Sequence, residues 1–174
     1  MPKTSSAEFI QRYLQDAIAL EQTVEVQMRA MAKDCEEGLI KELFLSHADQ
    51  TRKQAEELSH RLRQIGGTPS TTKNILAHIF GSVPRSAPIA ASTADRMTQN
   101  LLLGFSIESS CGAMYEALRA TAEYLGDIET SALAKRIQQA EQTTAQRFWN
   151  QIPSAAISAV EHERQTGAQQ AANF

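Results

Sequence analysis

Glycine and proline fall in a few clusters along these 174 residues, and their distribution limits the possible folds more than any other feature. Between the clusters lie four long stretches with apolar residues at helical spacing, roughly residues 6–34, 37–65, 93–125 and 128–151. The stretch boundaries carry the signals of helix termini. Ser5-x-x-Glu8 is a capping box ahead of the first. Gly66-Gly67 followed by Pro69 stops the second, because glycine accepts the left-handed cap and proline cannot continue a helix. Ser92 precedes the third and Gly126 ends it, and Pro153 is predicted to end the fourth.

The connections are unequal. Short turns around Cys35–Gly38 and Gly126–Asp127 make the first and last pairs of segments antiparallel neighbours. Between the pairs run 26 residues, GTPSTTKNILAHIFGSVPRSAPIAAS, with a short helical patch predicted at Asn74–Phe80. A helix of about 30 residues is roughly 45 Å long, and such a connector can carry the chain back along it. The predicted architecture is therefore an all-α, ferritin-like four-helix bundle over residues 1–152, two antiparallel hairpins joined by a long crossover. Residues 153–174 are expected to add a short helix and a disordered Ala/Gln-rich tail. The alternative is an up-down bundle with a slack middle loop; the length and partly apolar content of the connector argue against it.

With 42% hydrophobic residues, 21% charged residues and a net charge of −3, nothing in the composition supports attraction to nucleic acid or an anionic membrane surface. Cys35 and Cys111 are too far apart for a zinc spacing or a redox CxxC. Residues 1–20 lack a secretory layout, and no apolar run approaches membrane-spanning length. The expectation is a cytoplasmic chain with reduced cysteines and neither nucleic-acid nor membrane partners.

Helices turn about 100° per residue, so the inward face of each can be drawn. On the first, Ile10, Leu14, Ala17, Ile18, Val24, Met28 and Ala32 form an apolar stripe with Glu21 at its middle. On the third, Met97, Leu101, Gly104, Tyr115 and Ala122 flank Glu108. On the fourth, Ala134, Ile137, Phe148 and Ile152 flank Glu141. An unpaired carboxylate in such a place costs several kcal/mol, so each must be protonated, hydrogen-bonded, paired or bound to a cation. A glutamate at the rim could also reach water, but three on separate helices match the design of metal-binding bundles.

On the second helix the stripe contains Phe44, His47, Ala48, Thr51, Ala55, Leu58, Leu62 and Ile65, with Gln54 just inside its edge. Glu57-x-x-His60 has a di-iron spacing, but it points away from this stripe and reads as a solvated pair. Thr51 and Gln54 stand where primary ligands would be, and Thr144 follows Glu141 where a histidine would. Threonine and glutamine can hydrogen-bond a carboxylate or a bound water but are poor ligands for iron. His47 faces inward, about two helical turns from where it would complete a site, and reads as a satisfied core histidine.

The sequence resembles the YciE/YciF type of bacterial stress-associated ferritin-like proteins. YLQDAIALEQ is similar to that family's opening helix, which places its glutamate at Glu21. FLSHADQTRKQAEEL resembles its second helix, H-x-E-E-T and then glutamine or histidine, matching His47, Thr51 and Gln54 with Asp49 and Gln50 in place of the acids. IESSCGAMYEALRATAEYLG resembles the third, with Glu108, Tyr115, Leu125 and Gly126 in register, but Ser109 and Cys111 replace a histidine and an acid. Glu141 matches one acid of a fourth-helix pair whose other member is Ala140 here. The resemblance covers about residues 8–152. It implies a bundle that commonly forms a homodimer, and a site that holds two metals in relatives and is reduced here.

Two functional readings follow, with a third weighed beside them. In the first, Glu21, Glu108 and Glu141 weakly bind a hard divalent cation such as Fe²⁺ or Mn²⁺, with His47, Thr51, Gln54 and Tyr115 around them. In the second, no metal is held and the chain is a scaffold or interaction protein whose site has decayed. An enzyme of another type would need a nucleophile, yet no histidine lies within helical reach of Cys111, so no catalytic residue is expected.

Overall fold

A computed structural model describes residues 6–36, 38–69 and 93–172. Four helices make up the fold: α1 (Ser6–Lys33), α2 (Leu39–Gln64), α3 (Thr93–Tyr124) and α4 (Ile128–Ala172). The predicted crossover and its helical patch at Asn74–Phe80 lie largely outside the described residues, as do Ser5 of the predicted capping box and Ser92.

The turns follow from glycine. Gly66 (φ 80°) and Gly126 (φ 79°) adopt the left-handed conformation just past α2 and α3. The next amide then reaches back to a helix carbonyl, Gly67 N to Leu62 O at 2.9 Å and Asp127 N to Ala122 O at 2.8 Å. Asp127 also starts α4, accepting hydrogen bonds from the Thr130 amide (3.0 Å) and hydroxyl (2.7 Å).

Contacts at the two ends of the bundle define its topology. Gln11 Nε2 donates to Ile65 O at 2.8 Å, so α1 begins where α2 ends. Asn100 Nδ2 donates to Asp34 Oδ2 at 3.5 Å, so α1 ends where α3 begins. Helices α2 and α3 therefore run parallel, so the end of α2 and the start of α3 lie at opposite ends of the bundle. This is the two-hairpin, long-crossover, ferritin-like arrangement predicted from the sequence.

Two apolar clusters fill the interior. One contains Val24, Met28, Phe44, Leu101 and Phe148; the other contains Leu14, Leu58, Leu62, Tyr115 and Ile137. At Gly104 a Cβ would meet Phe148 at 3.2 Å and Phe44 at 3.3 Å, so the missing side chain lets that ring pair sit against α3. Between the clusters lies a buried polar layer: Glu21, His47, Thr51, Gln54, Glu108, Glu141 and Thr144.

Pro153 does not end the fourth helix as predicted; α4 runs through it to Ala172. Proline removes one backbone donor, whose acceptor would be the Trp149 carbonyl. Pro153 is exposed and Trp149 is 54% exposed, so that carbonyl sits on the solvent side. Beyond the proline, Ala155 and Ala159 are buried and hold the helix to the rest of the fold.

Candidate functional site

Each helix contributes to the polar layer. Glu21 comes from α1, His47, Thr51 and Gln54 from α2, Glu108 from α3, and Glu141 and Thr144 from α4, all buried. Glu21 accepts a short hydrogen bond from the Tyr115 hydroxyl. Gln54 Nε2 donates to Glu141 Oε1 at 2.6 Å. His47 Nε2 lies 2.9 Å from Glu108 Oε2 and 3.7 Å from Glu141 Oε2. His47, Glu108 and Glu141 each offer one ligand atom, and these lie within 4.8 Å of one another.

The position of His47 differs from the sequence reading, which placed it about two turns from the site. A helical wheel gives the angle of a side chain and not its reach along the axis. His47 and Gln54 are seven residues apart, about 10 Å of helix rise. The imidazole lies toward Thr51, its Nε2 3.5 Å from Thr51 Oγ1, and edge-on to Phe148 with ring centroids 6.1 Å apart. Glutamate is long enough to fill the remaining gap, and Glu141 reaches both residues.

With its carboxyls ionised, this layer leaves His47 Nδ1, Gln54 Oε1 and both carboxyl oxygens of Glu108 without a hydrogen-bond partner; a proton shared with Glu141 supplies Glu108 with one. Although His47 Nε2 approaches Glu108 closely, an N–H there is not aligned with the oxygen. Two ligand atoms of a single cation would stand at about this separation. Adjacent ligands at roughly 2.1 Å from one cation are about 3 Å apart.

The electrostatics favour protons when no cation is present. Burial, and then the charge of Glu141, push the Glu21 carboxyl well above the ordinary range despite the Tyr115 hydrogen bond. Glu108 is pushed up to about 8 by burial and by Glu21, against a hydrogen bond from Glu141. Glu141 is raised well above its ordinary value by burial and by Glu108, against His47 and Gln54. Burial lowers the His47 pKa, with Glu141 opposing and Arg147 adding to the shift. A neutral imidazole beside proton-sharing carboxyls is a donor set that a divalent cation can take over by displacing protons.

The other sequence candidates fall as their angles imply. Glu57 is exposed and pairs with Arg136 of α4, and His60 is exposed. Both cysteines are buried free thiols, Cys35 donating to Met31 O at 3.3 Å. Among the described residues no helix is long and apolar enough to cross a membrane.

A family model described as a domain of unknown function, DUF892, matches residues 6–161, and the chain belongs to that family. No curated protein matches the sequence. Solved structures of similar fold include a protein from Xanthomonas campestris pv. campestris at 24% identity and TM-score 0.76, covering 91% of this chain and 98% of that one. The Escherichia coli stress protein YciF is similar at 15% identity and TM-score 0.76, covering 87% of this chain and 97% of that one. The bacterioferritin of Desulfovibrio desulfuricans, whose structure describes a diiron site, is similar at 20% identity and TM-score 0.73, covering 92% and 87%. At these identities the likeness concerns the fold.

Proposed function

We propose that this member of the DUF892 family binds one divalent cation in the middle of its ferritin-like bundle, as a binding protein and not as a catalyst. His47, Glu108 and Glu141 are the proposed ligands, with Glu21 beside them, held by Tyr115. The observation that carries this reading is the convergence of buried His47, Glu108 and Glu141, each offering one ligand atom within 4.8 Å of the others. Buried polar groups are almost always satisfied, so such a cluster points to a missing partner. Gln54 and Thr144 occupy ligand positions of a di-iron pattern without being good ligands, which argues for one ion and against two. Fe²⁺ and Mn²⁺ suit a donor set dominated by carboxylates.

The test is elemental analysis of protein purified without chelator, followed by titration of the metal-free protein with Fe²⁺ and Mn²⁺. About one equivalent bound and a raised melting temperature are expected, since a ligand that binds only the folded state stabilises it. No metal and no thermal shift would refute the reading.

A second reading, a scaffold with a decayed site, draws on Gln54 and Tyr115, which already hydrogen-bond two of the three glutamates. It predicts that Glu21→Gln is neutral or mildly stabilising and that no cation shifts the melting curve. The likeness to the stress protein YciF supports a role under stress. The sequence resemblance adds a cytoplasmic location and a homodimer to the proposal. Expression with and without stress, cell fractionation and sedimentation would check these.

A further inference from the structure

Large apolar side chains that reach solvent are scattered over most of this bundle: Phe9 and Val26 on α1, Leu39 and Leu45 on α2, Tyr124 and Ile128 at the turn into α4. Single exposures of that kind are ordinary. One face of α4 departs from the pattern. Trp149 (54% exposed), Pro153, Ala156 and Val160 (49%) follow one another at steps of four, three and four. That alternation keeps them in one row along the helix, at the spacing of a helix-pairing seam. The core-facing row, Phe148, Ala155 and Ala159, lies on a different side. Ile157 (61%) flanks the seam. Phe105 of α3 packs on Trp149 with ring centroids 5.2 Å apart, and Leu102 (47%) is exposed one turn away from it.

The ends of the seam are polar. The same spacing continues to Gln146 and Gln142 on one side and to Glu163 on the other. This order of polar, apolar and polar residues is symmetric about a point between Pro153 and Ala156. Such a helix matches a second copy of itself running the opposite way. Trp149 falls opposite the partner subunit's Val160, Pro153 opposite the partner's Ala156, and Gln146 opposite the partner's Glu163. A twofold axis makes each of these contacts twice.

We propose that two copies of this chain pair through this face of α4, antiparallel, about a twofold axis near Pro153 and Ala156. The pairing gives the homodimer proposed above a definite surface and does not involve the cation site. Charge and area both favour a second copy as the occupant. Just before Trp149, α4 bears a groove of about 490 Å³ lined by Gln139, Gln142, Thr143, Gln146, Arg147 and Asn150. Past Val160 the helix continues to Ala172, and its described side chains there are exposed. A polar helix end of this kind gains little from its own chain. In the antiparallel pairing each tail lies along the other copy's groove. Glu161 and Glu163 then approach Arg147, the only charged residue lining the groove among those described, while Arg164 meets neutral Thr143. The paired length, residues 139 to 170, is about 45 Å. With Leu102 and Phe105 beside it, a strip about one and a half helix diameters wide covers roughly 700 Å² per copy, near the ~800 Å² that each partner of a stable complex contributes.

Trp149 is the only tryptophan in the chain, so its fluorescence reports on this face. Over a dilution series of the full chain, sedimentation should show a dimer forming, and the emission should move to the blue as it forms. Val160→Lys places a charge in the seam twice. It is expected to weaken dimerisation at least about tenfold and to abolish the blue shift, with helix content by circular dichroism unchanged. Val26→Lys, at the exposed valine of α1, should change neither. Gln146→Lys puts a cation opposite the partner subunit's Glu163 and should tighten the dimer severalfold, whereas Gln146→Glu should loosen it. A dimer that survives Val160→Lys unchanged would overturn this surface and leave the homodimer standing. Equal effects of the two Gln146 variants would overturn the antiparallel register. A chain that stays monomeric at hundreds of micromolar would overturn surface and homodimer together, leaving the face to a different partner.

Discussion

Carboxylates gather at two places in this bundle, and they are treated in opposite ways. At the turn between α3 and α4, Arg61 of α2 meets Asp127, Glu129 and Thr130 together. Its Nη2 donates to Asp127 Oδ1 at 2.7 Å, its Nε to Thr130 Oγ1 at 2.9 Å, and its Nη1 to Glu129. There the cation is built into the chain, and Glu129 keeps access to water. At the middle of the bundle, three glutamates share one neutral imidazole, one amide and one phenol, with no lysine or arginine among the buried residues described. Both places are acidic in sequence. Only the second lacks a cation of its own, and its unpartnered buried atoms, not acidity alone, set it apart.

Breaking the first region should have the larger effect on stability. Arg61→Ala strands a partly buried Asp127 and removes a tie between α2 and the α3–α4 turn, and is expected to cost about 2–3 kcal/mol. Urea unfolding would measure it; a cost below about 0.5 kcal/mol would mean that the turn holds without its cation.

The second region should reveal itself through pH. In the metal-free protein the folded Glu108 pKa is about 8, against an ordinary value of 4.5. The folded state therefore holds more protons than the unfolded state across that window. That part of the stability is complete below about pH 4.5 and falls as pH rises toward 8, by about 1.4 kcal/mol per pH unit for each carboxyl kept protonated. His47 works in the opposite sense. Its lowered folded pKa removes stability as pH falls below 6.5, so the interval from 6.5 to 8 isolates the carboxyls. Asp127 differs again: burial raises it, but hydrogen bonds from Thr130 and the Arg61 charge bring it below 3.8, so its contribution is lost only in acid. A flat stability profile between pH 6.5 and 8 in chelator would contradict the buried-carboxyl picture.

Glu108→Gln sharpens the comparison. It is expected to stabilise the metal-free protein at pH 8 by about 1 kcal/mol, by removing a charge that burial disfavours. The same change should abolish cation-induced thermal shifts, which separates a binding site from a structural pair. Glu57→Gln should do the least. Its pairing with Arg136 is between exposed side chains, so a change within about 0.5 kcal/mol in urea unfolding is expected.

Much of this was legible before any coordinates. Glycine placement gave the helices and turns, because positive φ is a local requirement. Glu21, Glu108 and Glu141 were found as inward because angle around a helix follows from residue spacing, and Glu57 and His60 were found as outward for the same reason. Axial register between helices is not local, which is why His47 was placed too far from the glutamates. The stop at Pro153 failed for a different reason: a lost hydrogen bond ends a helix only where nothing else satisfies the carbonyl and no packing continues beyond. Arg61 left no pattern to recognise, since its partners lie 66 to 69 residues away.

The crossover has a kinetic consequence. The hydrogen bond from Gln54 to Glu141 spans 87 residues and that from Tyr115 to Glu21 spans 94, each joining one hairpin to the other. Within a hairpin, contacts are short-range and form early; links between hairpins must wait for the chain to close a much larger loop. The polar layer is therefore assembled late, when the two halves dock. A cation held there would bind after the folding barrier and slow unfolding far more than it hastens folding.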